Sequence, residues 1–314
     1  MRISDSVLTN MVNGSMTSSY DTYVNTIQRI ISNKNFTKVS ENPTDATKVL
    51  KLDNQLSQLN LYQSNIEAAT NEMSYTYDTL GGMQDELSAI NSLIIEAANS
   101  TTSPESAKAI ASEIQERVNT IQDKLNAKYL DNYIFSGTFT DTQTYQEENG
   151  DIVYKGSSDS AGKRKLTISE GTQFPINITG ASMFDNQTYY FKDENGDTQA
   201  VSSNFFSQMK ELTALLSADT LDHDKIREKL QVTDANIKNV TQAQGTISAQ
   251  VSKLDATKNL NESTILNLTD NKADLEEVDI IKAASDLASA QTAMQASYLL
   301  GTRVLNNVSL LDYL

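Results

Sequence analysis

Residues 42–95 read "NPTDATKVLKLDNQLSQLNLYQSNIEAATNEMSYTYDTLGGMQDELSAINSLII" and repeat an apolar residue every seven positions. This spacing predicts one long helix with a single buried stripe. Asn42 can cap the first turn, Pro43 suits the first helical position, and Asp45 places a carboxylate near the positive end of the helix. Gly81 and Gly82 lie inside the helix and favour a bend. The stripe comprises Leu52, Leu59, Ile66, Met73, Leu80, Leu87 and Ile94.

Further helices are predicted on both sides of a central region. Ser103 and Pro104 mark the start of a second helix, and the acidic stretch "DNKADLEEVD" at residues 270–279 is interpreted as a hinge between two helical layers. Helical periodicity returns at Phe206, and a second long seam begins at Ile226. The predicted buried faces comprise Ile110, Ile114, Val118, Ile121 and Leu125; Phe206, Met209, Leu212 and Leu216; and Ile226, Leu230, Thr233, Ile237, Val240, Gln244, Ile247, Val251 and Leu254.

The central region has the two-residue period of β-strands. "TYQEENGDIVYKG" (144–156) and "TYYFKDENGDTQAV" (188–201) each place Asn-Gly between alternating residues. Asn-Gly predicts a type I′ hairpin turn, because both central residues of that turn need positive φ. The predicted fold class is mainly α with a small β insertion: long antiparallel helices form a bundle, and the N- and C-terminal helices pair as a coiled coil. The expected domains are 1–41 with 276–314, 42–137 with 203–275, and the β-rich 138–202.

The two ends of the chain carry helical apolar stripes. From Ile280 one stripe steps by three and four, and a neighbouring row comprises Ile281, Ala284, Ala288, Tyr298 and Leu305. Two adjacent rows favour contacts with more than one helix. The ends either form a coiled coil within one monomer, or pair only marginally in the monomer and become ordered when other subunits surround them; we favour the second. The expected assembly interface is Ile3, Val7, Met11, Ile280, Leu287, Met294, Tyr298, Val304, Val308 and Leu311; at the N-terminal end Val24, Ile27 and Ile31 continue the stripe.

Composition argues against several classes of partner. The 314 residues include 41 Asp and Glu against 25 Lys and Arg, a formal charge of -16, which opposes binding to nucleic acid or to an anionic membrane. There is no Cys, so neither disulfides nor thiol chemistry is available. The sequence contains no apolar stretch of the length of a signal peptide or of a membrane span.

The sequence contains few residues that could form a catalytic or metal-binding site. His223 is the single histidine, so a transition-metal set or a Ser-His-Asp triad lacks members, and we interpret it as part of a helix start. Asp193, Asn195 and Asp197 alternate as in a calcium loop, but Gly196 is misplaced for one. We therefore expect no enzyme activity, no cofactor and no metal. The basic residues 163–165 are expected to be a solvated strand edge.

Four stretches together carry a family resemblance: "MRIS" (1–4), "VSENPTDATKVLKLDNQLSQLNLYQSNIEAA" (39–69), "YIFSGT" (133–138) and "ASYLLGTRVLNNVSLLDYL" (296–314). The sequence resembles the flagellin superfamily, and within it the hook-associated protein 3 group of the hook–filament junction. The Ser-Asp-Asp-Pro motif of that group corresponds here to Ser40, Glu41, Asn42 and Pro43. The turn before it, which often contains Gly in the family, reads Asn33-Lys34 here.

The resemblance implies export as an unfolded chain without a cleaved signal peptide, and an extracellular location in the flagellum. It further implies that the terminal helices line an inner tube, that the β domain faces outward, and that the subunits self-associate. The implied partners are hook-associated protein 1, flagellin and a cytoplasmic flagellar export chaperone, with neither nucleic acid nor membrane. The alternatives are a flagellin filament subunit, a secreted helical adhesin, and an enzyme that uses His223.

Overall fold

The computed structural model describes residues 5–157, 162–185, 187–192 and 197–311; for residues 5, 6 and 304–311 it describes the backbone alone. The predicted fold class, mainly α with a small β insertion, is confirmed. The helices are α1 Asp5–Ser32, α2 Pro43–Ala97, α3 Pro104–Leu125, α4 Ala181–Phe184, α5 Phe205–Leu216, α6 His223–Glu228, α7 Leu230–Glu276 and α8 Ile280–Leu311. The strands are β1 Lys128–Tyr129, β2 Asn132–Tyr133, β3 Tyr145–Glu148, β4 Asp151–Tyr154, β5 Lys165–Ser169, β6 Thr172–Pro175, β7 Gln187–Lys192 and β8 Thr198–Ser203.

The long helix α2 follows its seven-residue pattern. From Ile66 onward every member of the stripe is buried, whereas Leu52 and Leu59 are half-buried. The helix continues through Gly81 and Gly82 without interruption. Helix α3 begins as predicted, because the Ser103 side chain accepts a hydrogen bond from the backbone N–H of Ser106 and Pro104 is the first helical residue. The whole predicted face of α3 is buried.

The second long seam departs from the prediction at both ends. The helix that begins near Ile226 is split into α6 and α7 at Lys229, which is 4% exposed and donates hydrogen bonds to Gln208 (2.9 Å) and Glu211 (2.7 Å). The helix break in the acidic stretch 270–279 is confined to residues 277–279, because α7 remains helical as far as Glu276 and α8 begins at Ile280; that the break acts as a hinge stays a prediction. Asp279 caps the next helix, since its carboxylate accepts from the N–H groups of residues 281 and 282, each at 3.0 Å.

The β insertion consists of two-stranded antiparallel pairs. The Asn149-Gly150 turn between β3 and β4 has φ values of 54° and 81°, which confirms the type I′ prediction. β7 and β8 also pair, while the second Asn-Gly and the calcium-like Asp193 and Asn195 lie outside the described residues. The pairs β1–β2 and β5–β6 were not predicted. The β5–β6 pair turns at Gly171, whose φ is 69°.

One prediction about the basic segment is wrong. Arg164 is not part of a solvated edge: its side chain is 19% exposed and forms an ion pair with Glu72 of α2. Burial lowers the pKa of Arg164 from its ordinary value. Lys163 and Lys165 are exposed.

Contacts divide the chain into two compact units. Unit 1 comprises residues 1–59 and 262–314, and unit 2 comprises residues 60–261. Unit 2 contains most of the apolar core, including the contacting rings of Phe184, Phe205 and Phe206. Unit 1 has a small cluster in which Phe36 packs with residues 46, 49 and 275. The three-part division expected from the sequence stays a prediction.

Candidate assembly surface

The terminal helices α1 and α8 pair within unit 1. Ser19 and Ser297 share a hydrogen bond of 3.0 Å between their hydroxyl oxygens, and Gly301 lies against Met16. At the other end of the pair, Lys34 forms a β-bridge with Glu277. Because later residues of α1 lie beside earlier residues of α8, the two helices run antiparallel, and the predicted pairing of the termini is confirmed.

On α8 the row that contacts α1 is made largely of small residues. Ala283 is 1% exposed and Ala290 is 7% exposed, and Gly301 is also buried. A Cβ on Gly301 would lie 2.6 Å from Met16 Sδ, which is closer than such atoms approach. Glycine is therefore what permits the close contact at this position. Leu287, Met294 and Ser297 of the same row are half-buried.

On α1 the row that faces α8 differs from the row picked out in the sequence. Thr26 is 6% exposed, whereas Val7 is 51% exposed and Met11 is 67% exposed. The inner row advances by alternating steps of four and three residues, and it includes the polar residues Ser19 and Thr26, so the apolar pattern alone does not reveal it. This inner row is Val12, Met16, Ser19, Tyr23, Thr26 and Ile30, all buried or half-buried.

The opposite side of α8 is open to solvent. Ile281 is 86% exposed and Leu299 is 64% exposed, and Ala288 between them is exposed as well. We call the exposed residues on this side the outer face of α8; they are Ile281, Ala284, Ser285, Ala288, Ser289, Thr292, Ala293, Ala296, Leu299 and Leu300. At its edges Ile280 is 61% and Tyr298 is 63% exposed, whereas Ala283, Leu287 and Ala290, which follow Ile280 in the predicted stripe, are buried or half-buried.

Some of the residues assigned to the interface cannot be placed. Ile3 lies outside the described residues. Val304, Val308 and Leu311 belong to the described helical backbone of α8, but their side chains do not belong to the described part of the structure.

Few charges lie on these helices. Between Val7 and Gln28 the only charged residue is Asp21. Covering such a surface with another helix therefore requires little desolvation of charge. In the part of the chain that the structure describes, no helix is long and apolar enough to cross a membrane.

The segment before α2 is held by its own side chains. The Asn42 Oδ1 accepts from the Asp45 N–H at 3.2 Å, and Pro43 is the first helical residue. The Glu41 carboxylate accepts from the N–H of Thr37 at 2.8 Å, and this hydrogen bond lowers the pKa of Glu41. Replacing both aspartates of the family motif thus leaves a capped helix start.

His223 is the first residue of α6, and Asp222 caps that helix. The His223 Nδ1 lies 3.2 Å from the carbonyl oxygen of Ala97. Among the described residues no three His, Cys, Asp or Glu side chains come together as a metal site. These contacts explain the histidine as part of a helix start.

Comparison with protein families covers both helical ends. Residues 3–140 match the bacterial flagellin N-terminal helical region, and residues 230–314 match the bacterial flagellin C-terminal helical region. Together the two matches span well over half of the chain. The chain belongs to the flagellin family. The resemblance predicted from the sequence is confirmed, and membership gives the chain a structural role in the bacterial flagellum.

Within the flagellin family the chain is similar to hook-associated proteins. It is 25% identical over 280 residues to the flagellar hook-associated protein 3 of Escherichia coli, covering 86% of each chain. It is 21% identical over 306 residues to the Salmonella typhimurium protein of the same name, covering 95% of each.

Two solved structures share the fold. Flagellar hook-associated protein-3 from Legionella pneumophila superposes with a TM-score of 0.62 at 16% identity, over 72% of this chain and 98% of that one. FlgL from Bacillus cereus gives a TM-score of 0.56 at 16% identity, over 71% and 99%. At these identities the likeness establishes the fold.

Proposed function

We propose that this chain joins the flagellar hook to the filament and assembles through its terminal helices. The observation that carries the proposal is the outer face of α8, where Ile281 is 86% exposed and Leu299 is 64% exposed although the opposite side of the same helix is buried against α1. The similarity to proteins named hook-associated protein 3 supports the junction rather than another place in the flagellum.

The chemistry of this face suits other copies of the same helix pair. Large apolar residues stand at the two ends of the face, with Ala, Ser and Thr between them. Small residues let a neighbouring helix approach closely, and each large apolar side chain contributes about 1.5 to 3 kcal/mol when it is fully buried. Val7 and Met11 of α1 are exposed as well and extend the proposed contact to the second helix. We assign Ile3, Tyr298, Val304, Val308 and Leu311 to the same interface.

The proposed partners follow from the position of a junction. Hook-associated protein 1 lies on the hook side, flagellin lies on the filament side, and further copies of this chain complete the zone. Before assembly a cytoplasmic export chaperone holds the C-terminal helix, and the protein then works outside the cell. The role is mechanical and not enzymatic, which agrees with the placement of His223 at a helix start.

The proposal is tested by deleting the gene and examining hooks and culture medium. Hooks should persist while flagellin accumulates in the medium, and the intact chain should restore filaments. Filaments that still form on the deletion strain would refute the junction role. If the deletion removes the filament polypeptide itself, so that no flagellin accumulates in the medium, the chain is the filament subunit instead.

A pair of matched variants tests the surface. Ile281→Lys places a charge on the outer face of α8 and should abolish filament attachment while leaving secretion intact. Leu61→Lys changes a residue on α2 that is 59% exposed, and should be tolerated. If Ile281→Lys supports normal filaments, or if both variants fail alike, the terminal helices are not the specific contact.

A further inference from the structure

Four charged side chains of unit 1 form an alternating chain. Lys272 Nζ of α7 lies 2.6 Å from Asp53 Oδ1 of α2 and 3.6 Å from Glu276 Oε2. The other carboxylate oxygen of Glu276 pairs with Lys34, in the connector 33–42 between α1 and α2. The order Asp53, Lys272, Glu276, Lys34 thus links three segments of the chain by opposite charges.

At the same place the connector 33–42 is bonded through its backbone to the end of α7 and to the connector 277–279, which joins α7 to α8. The N–H of Asn35 donates to the Glu276 carbonyl at 2.6 Å, and the N–H of Val278 donates to the Asn33 carbonyl at 3.3 Å. Lys34 and Glu277 form an isolated antiparallel bridge. Among the described residues no longer strand pairing continues from this bridge, so these few main-chain bonds depend on the side chains around them.

The two central members of the charge chain are its least exposed. The Glu276 side chain is 14% exposed and that of Lys272 is 28% exposed, against 44% for Asp53 and 49% for Lys34. Lys272 and Glu276 each pair with two side chains of opposite charge. Removing either of them therefore takes an ion-pair partner away from both of its neighbours in the chain. The hydrogen bond to Asp53 raises the pKa of Lys272, which keeps the lysine charged.

We infer that the Asp53–Lys272–Glu276–Lys34 chain is an electrostatic latch, which holds the connector 33–42 against the end of α7 at the base of the α1–α8 pair. Opening the latch frees the two connectors while the helices of unit 2 stay folded. The latch is a device of the monomer and does not depend on the junction role. Because its outer members, Asp53 and Lys34, are 44% and 49% exposed, high ionic strength weakens it.

The test is native-state hydrogen exchange in the full-length protein, read at the amides of Asn35 and Val278. Lys272→Met and Lys34→Met should each speed exchange at both amides about fivefold, the effect expected of a partly exposed ion pair. The double variant should speed exchange by less than the product of the two single effects, because both lysines act through Glu276. A double effect equal to that product would show two independent pairs and overturn the latch.

Lys48→Met is the matched control, because it removes an ion pair with Asp45 in the same unit but outside the chain of four. It should leave exchange at Asn35 and Val278 unchanged; acceleration equal to that of Lys272→Met would overturn the inference. The amides of α3 report on unit 2, and if they accelerate by the same factor the variants unfold the protein and no separate latch exists.

Salt provides an independent readout. Raising ionic strength from about 0.15 M to about 1 M shortens the screening length from about 8 Å to about 3 Å. Exchange at Asn35 and Val278 should then accelerate in the native sequence and change little in the Lys34→Met/Lys272→Met variant. An equal response to salt in both proteins would refute an electrostatic latch.

Discussion

Replacing Gly301 by Ala tests the close contact between α1 and α8. The added Cβ would lie 2.6 Å from Met16 Sδ and 3.2 Å from Val12 Cγ1, so the side chain of Met16 must leave its place. Gly14 of α1 provides a matched control, because nothing lies within 4 Å of a Cβ added there. Both glycines are inside helices, so both substitutions bring the same gain in helix propensity.

Two opposing contributions to the free energy set the size of the expected difference between the two variants. Ala in place of Gly stabilises a helix interior by about 0.5 to 1 kcal/mol, and at Gly14 this is the whole effect. At Gly301 the gain is opposed by the strain of overpacking, about 1 to 3 kcal/mol, even though the flexible Met16 absorbs part of it. The two substitutions should therefore differ by about 1 to 3 kcal/mol, which is roughly a 5-fold to 150-fold difference in the opening of the helix pair.

Hydrogen exchange of the α1 amides in the full-length protein measures this difference. Gly14→Ala should slow exchange, and Gly301→Ala should leave it unchanged or speed it. Adding Met16→Ala to Gly301→Ala should restore protection relative to Met16→Ala alone, because it removes the atom that the new Cβ meets. If Gly301→Ala slows exchange as much as Gly14→Ala does, the helices are not in close contact at Gly301 and the proposed inner row is wrong.

Three further predictions concern other parts of the chain. Phe36→Ala should cost the unit 1 cluster about 3 kcal/mol, seen as faster proteolysis of residues 33–42, while Phe139→Ala, at a site 54% exposed, should change little. Asn42→Ala should lower the free energy of unfolding by about 1 kcal/mol, and Asn42→Ser, which keeps a capping oxygen, should cost less, as measured by denaturant titration. Burial raises the pKa of Tyr189 from 10.0 to about 12, so its stabilising effect is complete below about pH 10 and is lost as the pH rises through about 12. Tyr189→Phe should reduce this alkaline loss of stability in unfolding measurements at about pH 9 and about pH 11.5, and an unchanged loss would contradict the assignment.

The sequence predicted best the elements whose buried residues are large. The stripe of α2 and the buried face of α3 consist of Leu, Ile, Val and Met at regular helical spacing. Such a spacing of large apolar residues predicts a helix with one buried side. The turn at Asn149-Gly150 was also predicted correctly, because few residues tolerate the positive φ values of a type I′ turn. In each case the local sequence already contains the physical cause.

The features that were missed depend on partners distant in the chain. Thr26 is buried because α8 covers it, and hydroxyl residues do not mark a seam when apolar residues are sought. Arg164 is largely buried because Glu72, 92 positions earlier, neutralises it. Lys229 interrupts a helical seam because residues 208 and 211 supply its hydrogen-bond acceptors. Such polar burial is decided by tertiary contacts, which periodicity does not report.

The composition of the inner row bears on how the proposed assembly would be stabilised. Alanine, serine and glycine bury little apolar area when α8 packs on α1, so the pair gains less from its own contact than a leucine seam would give. Ordering the backbone of each helical residue still costs about 1 to 2 kcal/mol. Under the proposed function, neighbouring subunits cover the exposed outer face of α8 and bury the apolar area of Ile281 and Leu299. This burial supplies the stabilisation that the small residues of the α1–α8 contact do not provide. A helix pair built in this way is most stable inside an assembly, and the scarcity of charge on α1 means that little desolvation opposes its burial there.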